Sequence, residues 1–291
     1  MNIAFLINND YAEQLSVALT SLLINLKKDE DINVFVFNTG LSELNKQKLK
    51  NINCGKKYNM EFIWSDETQF KDLPTAIHLK RLDYIRMLFP TLLDCDKLLY
   101  LDSDILVFND IADYYNTEFE DNYAVVIRDR WAHSFQIENH MSKLGVLNYF
   151  NAGVMLLNLK KMREDSIQEE CFSFIKNYPE LTIFMEQCVF NKVFKNKVKF
   201  IDKKYNFQYK LNTSEKIYEE FYKIHGFPHI IHFVGHEKPF GGYAHPFENK
   251  YFEILKKTPY KISFFKFKSR MWKKLLKKLK KRIVIILKCM I

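Results

Sequence analysis

Two aspartates, one residue apart, are the side chains of this sequence best suited to metal chemistry. They lie in the apolar run Lys97-Leu98-Leu99-Tyr100-Leu101-Asp102-Ser103-Asp104-Ile105-Leu106-Val107-Phe108. Residues i and i+2 of an extended chain share a side, so Asp102 and Asp104 are predicted to converge, with Ser103 turned away. A divalent cation with oxygen ligands relieves the repulsion between two such charges. The flanks favour a metal site at the carboxyl end of a buried strand over two solvated aspartates.

A histidine in a second apolar run could complete this site. In Ile230-Ile231-His232-Phe233-Val234-Gly235, His232 lies in a predicted strand that ends at a glycine turn. A neutral imidazole nitrogen is a common metal ligand, whereas a lone histidine more often has a structural role. The residues alone leave both roles open for His232.

The elements that must position these side chains begin with alternating strand and helix patterns. The periodicity predicts strands over 2–7, 32–37 and 60–64 and helices over 11–25 and 42–52, the second with Ser42 as its N-cap. This order is typical of a parallel sheet with crossover helices. The chain has no G-x-G-x-x-G motif, which argues against a dinucleotide site.

The middle of the chain continues with mixed patterns. We expect a helix over 78–89 that ends before Pro90, a strand over 123–127, a strand over 149–159, and helices over 161–177 and 185–193. Residues 131–148 are predicted to form a long irregular loop, of a length typical of lids or binding loops. Gly153, inside a strand pattern, indicates that another group approaches the backbone closely.

Composition and charge divide the chain into two unlike parts. The 291 residues are 47% hydrophobic and 15% aromatic, which predicts a globular protein, and the five cysteines are scattered, which favours a reducing compartment. No signal peptide and no membrane-spanning stretch is recognisable. From Lys256 onward there are 14 basic and no acidic residues, while the rest carries 30 basic and 35 acidic side chains.

The basic tail has the pattern of an amphipathic helix. Its apolar positions recur with a 3.6-residue period at Trp272, Leu275, Leu276, Leu279, Ile283, Ile286 and Leu287. Its other faces carry Lys273, Lys274, Lys277, Lys278, Lys280 and Lys281. We expect this helix to lie on an anionic membrane surface, with packing on the protein body as the alternative. Nucleic acid is not an expected partner, because nothing in the body supports it.

Several motifs in register resemble a known enzyme family. They are Asn8-Asn9-Asp10-Tyr11-Ala12, Asp83-Tyr84-Ile85-Arg86, Leu99-Tyr100-Leu101-Asp102-Ser103-Asp104, Tyr149-Phe150-Asn151-Ala152-Gly153-Val154-Met155-Leu156-Leu157-Asn158-Leu159, Glu186-Gln187, and His232-Phe233-Val234-Gly235-His236-Glu237-Lys238-Pro239-Phe240. In this order the set resembles glycosyltransferase family 8, particularly its bacterial lipopolysaccharide galactosyl- and glucosyltransferases. The resemblance implies a GT-A fold, a UDP-hexose donor (galactose or glucose), Mn²⁺ or Mg²⁺, a glycan or lipid-linked saccharide acceptor, and transfer with retention.

The resemblance also implies roles for individual residues. Asp102, Asp104 and His232 match the metal ligands, and Glu186 and Gln187 match the catalytic pair beneath the reacting sugar. Further donor contacts are implied for Ile7, Asn8, Asp10, Tyr11, Arg86, Ser103, Asn151, Ala152, Gly235 and Lys238. Asp129, at the end of its strand, could hold a sugar hydroxyl or pair with Arg128 or Arg130.

Three positions depart from the family pattern. Glu186 stands where Asp is common, Cys188 where an acidic residue is common, and Asn8 where Asp is frequent. The longer Glu186 leaves the donor sugar open among glucose, galactose and an N-acetylhexosamine. Because Gln187 is a poor nucleophile, we expect front-face attack by the acceptor, with Glu186 as a covalent nucleophile as the alternative.

The resulting expectation is an α/β protein with a single GT-A domain over residues 1–255, a mostly parallel mixed sheet and flanking helices. Residues 256–291 would form a membrane-associating tail, which predicts peripheral attachment to the cytoplasmic face of a membrane. A metal-dependent nucleotidyltransferase and a non-catalytic basic membrane- or nucleic-acid-binding protein are the alternatives.

Overall fold

The computed structural model describes residues 1–28, 31–73, 81–132, 134–195, 197–211 and 215–289. Its strands are β1 (Asn2–Ile7), β2 (Asn33–Asn38), β3 (Asn59–Trp64), β4 (Lys97–Leu101), β5 (Ile105–Val107), β6 (Ala124–Arg128), β7 (Phe150–Asn158), β8 (Val198–Phe200), β9 (Phe207–Tyr209) and β10 (Ile230–Phe233). Its α-helices are α1 (Ala12–Asn25), α2 (Glu43–Lys50), α3 (Phe89–Leu92), α4 (Ala112–Tyr115), α5 (Phe135–Leu144), α6 (Leu159–Glu164), α7 (Ile167–Asn177), α8 (Glu186–Phe194), α9 (Glu215–His225), α10 (Glu248–Leu255) and α11 (Phe264–Cys289).

The strands form two sheets within the described residues. The large sheet has the order β3-β2-β1-β4-β7-β6-β8, and the small one has the order β5-β10-β9. In the large sheet β7 is antiparallel to β4 and β6, and the other pairs are parallel. The predicted α/β class with a mostly parallel mixed sheet and flanking helices is therefore confirmed.

Side-chain alternation explains why the large sheet is covered on both faces. Leu98 and Tyr100 of β4 pack in one buried cluster, and Leu99 and Leu101 pack in the other. Strands buried on both faces read as continuous apolar runs, as the run before Asp102 does. Helix α1 supplies buried leucines to the second cluster.

The run 97–108 is not one strand. It divides into β4 of the large sheet and β5 of the small sheet, and Asp102, Ser103 and Asp104 form the bend between them. The two aspartates converge as predicted, but they do so at this bend and not through strand alternation. The same bend brings them to β10, whose His232 lies opposite Ile105 of β5.

Two other local predictions were only partly right. Residues 131–148 are not all irregular, because α5 lies within them and ends at Gly145, whose left-handed conformation (φ 68°) closes the helix. The predicted helix over 78–89 begins outside the described residues, continues as a 3-10 helix over Arg81–Leu88, and passes into α3. Pro90 lies in the first turn of α3, where a missing N–H costs little, and so it does not mark a helix end.

The basic tail forms α11, and the first part of this helix packs on the protein body. Phe267 and Met271 are buried in a cluster with Phe240 and Tyr251. Arg270 binds both carboxylate oxygens of Glu13, at 2.6 and 2.8 Å. Among the described residues no helix has the length and apolar character needed to cross a membrane. The boundary between residues 255 and 256 stays a prediction.

Candidate active site

Three side chains with metal-binding atoms converge where the two sheets meet. The ligand atoms of Asp102, Asp104 and His232 all lie within 4.8 Å of one another. His232 Nε2 is 3.5 Å from Asp102 Oδ2 and 3.3 Å from Asp104 Oδ1. One imidazole nitrogen and two carboxylates form a donor set that suits Mn²⁺ or Mg²⁺.

Side chains behind this cluster orient the ligands. His232 Nδ1 is 3.2 Å from Asn206 Oδ1, and the amide of Asn206 in turn donates to Asn151 Oδ1 at 3.0 Å. A proton on Nδ1 would be donated to Asn206, which leaves the Nε2 lone pair facing the carboxylates. The Tyr100 hydroxyl donates to Asp102 Oδ1 at 2.6 Å. Asn206 and Tyr100 were not identified from the sequence, although Tyr100 lies two residues before Asp102.

The backbone of β7 forms the floor beneath the ligands. Asp102 N donates to the carbonyl of Gly153 at 2.8 Å. A Cβ placed on Gly153 would lie 2.4 Å from both Asp102 Oδ2 and His232 Cε1. The close approach predicted at Gly153 is confirmed, and the approaching groups are two of the proposed ligands themselves. These residues fit a bound cation, because the absence of a side chain at Gly153 leaves room for Asp102 and His232.

The two aspartates differ in their electrostatic surroundings. Burial raises the pKa of Asp102, and the Asp104 charge acts in the same direction against the Arg86 guanidinium. Burial acts on Asp104 as well, but Lys238 and His232 hold the pKa of that carboxyl well below its usual range. The Lys238 ammonium donates to Asp104 Oδ2 and to the Phe233 carbonyl. Asp104 is therefore an ionised carboxylate with a cation already on one oxygen.

A buried ion pair lies next to the cluster. Arg86 contacts Glu186 Oε1 at 2.9 Å, Asp83 Oδ1 at 3.1 Å and the Ala152 carbonyl at 3.3 Å. Burial raises the pKa of Glu186 to about 8 even with Arg86 beside it, and the negative charges of Asp83 and Asp102 add to the effect. Within the described residues Glu186 Oε2 has no hydrogen-bond partner.

The carboxamide of Gln187 is fixed at the start of α8. Its Oε1 accepts from Ala152 N at 3.0 Å and from the Asn151 amide at 3.3 Å. Asp129 is buried nearby and accepts from Trp131 N at 2.8 Å. Burial raises the pKa of Asp129, against the hydrogen bonds from Trp131, Asn151 and Gln187.

The alternative partners suggested for Asp129 bind elsewhere. Arg128 donates to Asn148, and Arg130 donates to the Gln208 carbonyl. In the described part of the chain no ion pair joins Asp129 to either arginine. Asp129 therefore lies among amides beside Gln187 rather than in a surface ion pair.

The side chain of Cys188, one of the three departures from the family pattern, packs away from the ligand cluster. This side chain is buried, 3.1 Å from His140 Nε2 and 3.3 Å from the Tyr149 hydroxyl. Burial raises the pKa of the Cys188 thiol to about 11, so it is neutral at pH 7. Cys188 therefore anchors α8 and supplies no charge to the site.

The residues implied in nucleotide binding lie at the end of β1. Ile7 is buried, and Asn8 Oδ1 accepts from Asp10 N, which starts the 3-10 helix Asn9–Tyr11. Burial raises the pKa of Tyr11 to about 12, and the negative charges of Asp104 and Asp102 contribute. Tyr11 therefore lies close enough to Asp102 and Asp104 for their charges to affect its pKa.

The loop after β10 carries the remaining implied donor contacts. Gly235 adopts a left-handed conformation (φ 79°), and Lys238 follows three residues later. Ser103 is buried in the bend between the aspartates.

The structure thus brings together the ligand cluster and five further predicted residues, which are Arg86, Asn151, Glu186, Gln187 and Lys238. Ile7 and the Asn8 side chain serve the local fold, and their donor contacts stay predictions.

Comparisons with known proteins agree with this architecture. "General stress protein A" of Bacillus subtilis (strain 168) is 24% identical over 270 residues, which cover 89% of this chain and 94% of that protein. "Lipopolysaccharide 1,2-glucosyltransferase" of Escherichia coli (strain K12) is 26% identical over 271 residues, covering 90% and 79%.

A solved structure shares the fold. It is the galactosyltransferase LgtC in complex with donor and acceptor sugar analogs, with a TM-score of 0.76 and 25% identity, covering 89% of this chain and 96% of that one. The predicted GT-A fold is confirmed by this likeness. The family described as Glycosyl transferase family 8 matches residues 2–242. This chain therefore belongs to glycosyl transferase family 8.

Proposed function

We propose that this protein transfers a hexose from a UDP-sugar to a glycan acceptor with retention of configuration, assisted by Mn²⁺ or Mg²⁺. The observation that carries the proposal is the position of Asp104, which is held between His232 and Lys238. A diphosphate on the ligand cluster would lie within reach of the Lys238 ammonium. The bound cation would supply charge stabilisation to the departing UDP.

The side chains beneath the sugar favour front-face attack. The Gln187 carboxamide oxygen is occupied by Ala152 N and the Asn151 amide, so it is a poor nucleophile. Glu186 is buried, and its Oε1 is held 2.9 Å from Arg86, so this oxygen is not free to attack the sugar. Neither side chain is therefore suited to form a covalent bond with the sugar. A glycosylated peptide containing Glu186 in intact-protein and peptide mass spectrometry would overturn this preference.

The donor sugar and the acceptor are proposed from the relatives and from Glu186. The Escherichia coli relative is described as a lipopolysaccharide glucosyltransferase and LgtC as a galactosyltransferase. We therefore propose glucose or galactose as the hexose and a lipopolysaccharide, lipooligosaccharide or other cell-surface glycan as the acceptor. Glu186 would limit the space beneath the sugar, and its ion pair with Arg86 would hold it in that position.

We further propose that α11 attaches the enzyme to the cytoplasmic face of a membrane. Phe265, Trp272, Leu276 and Leu279 are 85%, 63%, 49% and 45% exposed. Their spacing of seven, four and three residues places them along one outward face of the helix. The exposed lysines Lys273, Lys277 and Lys280 lie along one side of this apolar outer face. Apolar groups beside a row of cations suit an anionic lipid surface.

UDP release in the absence of acceptor tests the enzymatic proposal. We expect slow release of UDP from UDP-glucose or UDP-galactose with Mn²⁺, lost in Asp104→Asn and retained in Asp94→Asn, an exposed aspartate of the same segment. No release from a panel of UDP-hexoses and UDP-N-acetylhexosamines would refute the transferase proposal. Pyrophosphate release from a nucleoside triphosphate would indicate a nucleotidyltransferase instead.

A further inference from the structure

The cavity beside the ligand cluster is walled on one side by the C-terminal helix. We propose that α11 is part of the donor site, and that Lys274 is a positioning residue for the nucleoside diphosphate of the donor. This inference rests on the proposed UDP-sugar donor. It assigns to the basic tail a second role, which is distinct from membrane attachment.

Three parts of the chain line this open cavity of about 450 Å³. The start of α1 contributes Tyr11 and Gln14, and the loop after β10 contributes Lys238. From α11 the cavity is lined by Lys274, Lys277 and Lys278. Lys238 also contacts Asp104, so the cavity opens directly beside the metal-ligating side chains.

An unsatisfied polar group points to a ligand in this cavity. Gln14 is 8% exposed, and its Oε1 has no hydrogen-bond partner among the described residues. Burying such an acceptor without a partner is unfavourable, and a hydrogen-bond donor on a bound ligand would remove that penalty. The Tyr11 and Phe240 rings meet edge to face near the same opening, with centroids 6.4 Å apart. Aromatic surface, an open acceptor and several cations together suit a nucleoside diphosphate.

Helix α11 holds the loop that carries Lys238. Lys274 Nζ donates to the Phe240 carbonyl at 2.9 Å, and Lys278 Nζ donates to the Gly241 carbonyl at 2.5 Å. These carbonyls lie two and three residues after Lys238. Loss of either ammonium would therefore free the loop next to the diphosphate as well as remove a positive charge.

The loop and the helix touch through their backbones. Gly242 has φ 82°, and a Cβ there would lie 2.7 Å from Lys274 Cβ and 2.8 Å from the Met271 carbonyl. Only glycine permits this approach without displacement of the helix. Met271 is buried beneath, and Arg270 is bound to Glu13, so the helix cannot move aside freely. Gly242 is thus a second, independent position at which to disturb the contact.

The charge around the cavity explains why Lys274 matters more than a surface lysine. Lys274, Lys277 and Lys278 lie with Lys238 around one space whose lining contains one carboxylate, Asp10. Burial lowers the pKa of Lys274, and the neighbouring Arg270 charge acts in the same direction. A diphosphate would relieve this crowding of positive charge.

The test measures UDP binding to the full-length chain by calorimetry with Mn²⁺, together with steady-state kinetics in membrane-free solution. For Lys274→Met we expect about tenfold weaker UDP binding and a similar rise in donor KM, because one charge-assisted hydrogen bond and a loop support are lost. The kcat should change less than KM, and Lys274→Arg should restore most of the affinity. The control is Lys266→Met, which removes an exposed charge from the same helix.

Gly242→Ala provides the second variant, with an expected loss of UDP affinity in the same direction. Wild-type affinity in both Lys274→Met and Gly242→Ala, with folding shown by thermal unfolding, would overturn the inference and leave the proposed function standing. If Lys274→Met does not fold, Gly242→Ala and Lys278→Met decide by the same criterion. An unaltered chain that binds no UDP would instead remove the proposed function, and this inference with it.

Discussion

Gly153 determines how closely β7 approaches the candidate metal-ligating side chains. Its carbonyl accepts from Asp102 N, and its α-carbon faces Asp102 and His232 without a side chain between them. The two ligands therefore use space that any other residue would fill. Gly153 is therefore expected to matter to the cluster as much as the candidate ligands do, although it supplies no metal-binding atom.

Gly153→Ala is expected to weaken Mn²⁺ binding at least about tenfold, because a Cβ would force Asp102 or His232 from its position. Electron paramagnetic resonance of free Mn²⁺ measures this directly. Gly226→Ala is the control, since that glycine has φ 69° and nothing near its Cβ position. The control should lose some stability and keep its Mn²⁺ affinity, and equal affinity in both variants would contradict this role of Gly153.

His245 is expected to make the free energy of unfolding decrease at acidic pH. It is buried against Tyr209 and Phe233, and its Nε2 has no hydrogen-bond partner among the described residues. Burial lowers the pKa of His245 to about 4, and the Lys238 charge contributes. Between pH 6.5 and 4 the unfolded chain therefore binds a proton that the folded chain does not. The free energy of unfolding should fall as pH drops through this window, by at most about 3 kcal/mol.

His245→Gln should remove most of this component. We expect the difference in unfolding free energy between pH 7.5 and pH 4.5, measured by urea titration, to be smaller in the variant by about 1–3 kcal/mol. The control, His236→Gln, alters an exposed histidine and should change this difference less than His245→Gln does. An unchanged difference in His245→Gln would show that the imidazole does not cause the acid sensitivity.

Residue types predicted the candidate ligands but not the groups that orient them. Asp102, Asp104 and His232 stand out because charged or imidazole groups interrupt or end apolar strands, where burial demands a compensating partner. Asn206 has no such signal, since an asparagine between two aromatic residues is unremarkable until the fold brings it to His232 Nδ1. No feature of the sequence around Asn206 indicates this contact with a residue 26 positions away.

At the scale of elements, clear periodicity and the Ser42 cap predicted structure well, whereas mixed or continuous apolar patterns did not. Strand β1 was predicted with its exact bounds, and the Ser42 N-cap accepts from Asn45 N as expected. Helix α5 was missed because its mixed polar and aromatic sequence hides a buried face that includes Met141 and Leu144. The break between β4 and β5 was also missed, since an apolar run does not show which sheet each half joins.

Helix α11 has one face buried in the protein body and one face exposed. Phe267 and Met271 are buried in the body, whereas Trp272 and Leu276 are exposed. Packing on the body and membrane attachment, which the sequence posed as alternatives, are thus compatible for one helix. Removal of everything after Tyr260 would also strip Phe267 and Met271 from the core, so outer-face substitutions test the membrane proposal more cleanly.

The double substitution Trp272→Gln and Leu276→Gln should reduce co-sedimentation with phosphatidylglycerol vesicles by more than about tenfold, because each apolar side chain contributes about 1.5–3 kcal/mol when buried. Binding of the unaltered chain should weaken with added salt, since lysines contribute. The control replaces two exposed apolar residues elsewhere, Leu147→Gln and Ile224→Gln. Equal pelleting of both double variants would reject α11 as the attachment site.

At the scale of the whole molecule, the candidate site is the junction of two sheets. The large sheet supplies Asp102 and the floor at Gly153, and the small sheet supplies His232 through β10. Helix α8 adds Glu186 and Gln187, and α11 closes the far side of the cavity. Sequence reasoning reached the α/β class and the family from motifs. It could not reach this junction, because the topology decides which strand ends meet.

The central claim is that Asp102, Asp104, His232 and Lys238 together bind a metal and a diphosphate. The most direct test is the dependence of UDP affinity on Mn²⁺, measured by calorimetry in Mn²⁺ and in chelator. We predict that Mn²⁺ strengthens UDP binding by about a hundredfold and that UDP strengthens Mn²⁺ binding equally, with both effects lost in Asp104→Asn. UDP binding of the same strength in chelator, or full coupling retained in Asp104→Asn, would contradict the account.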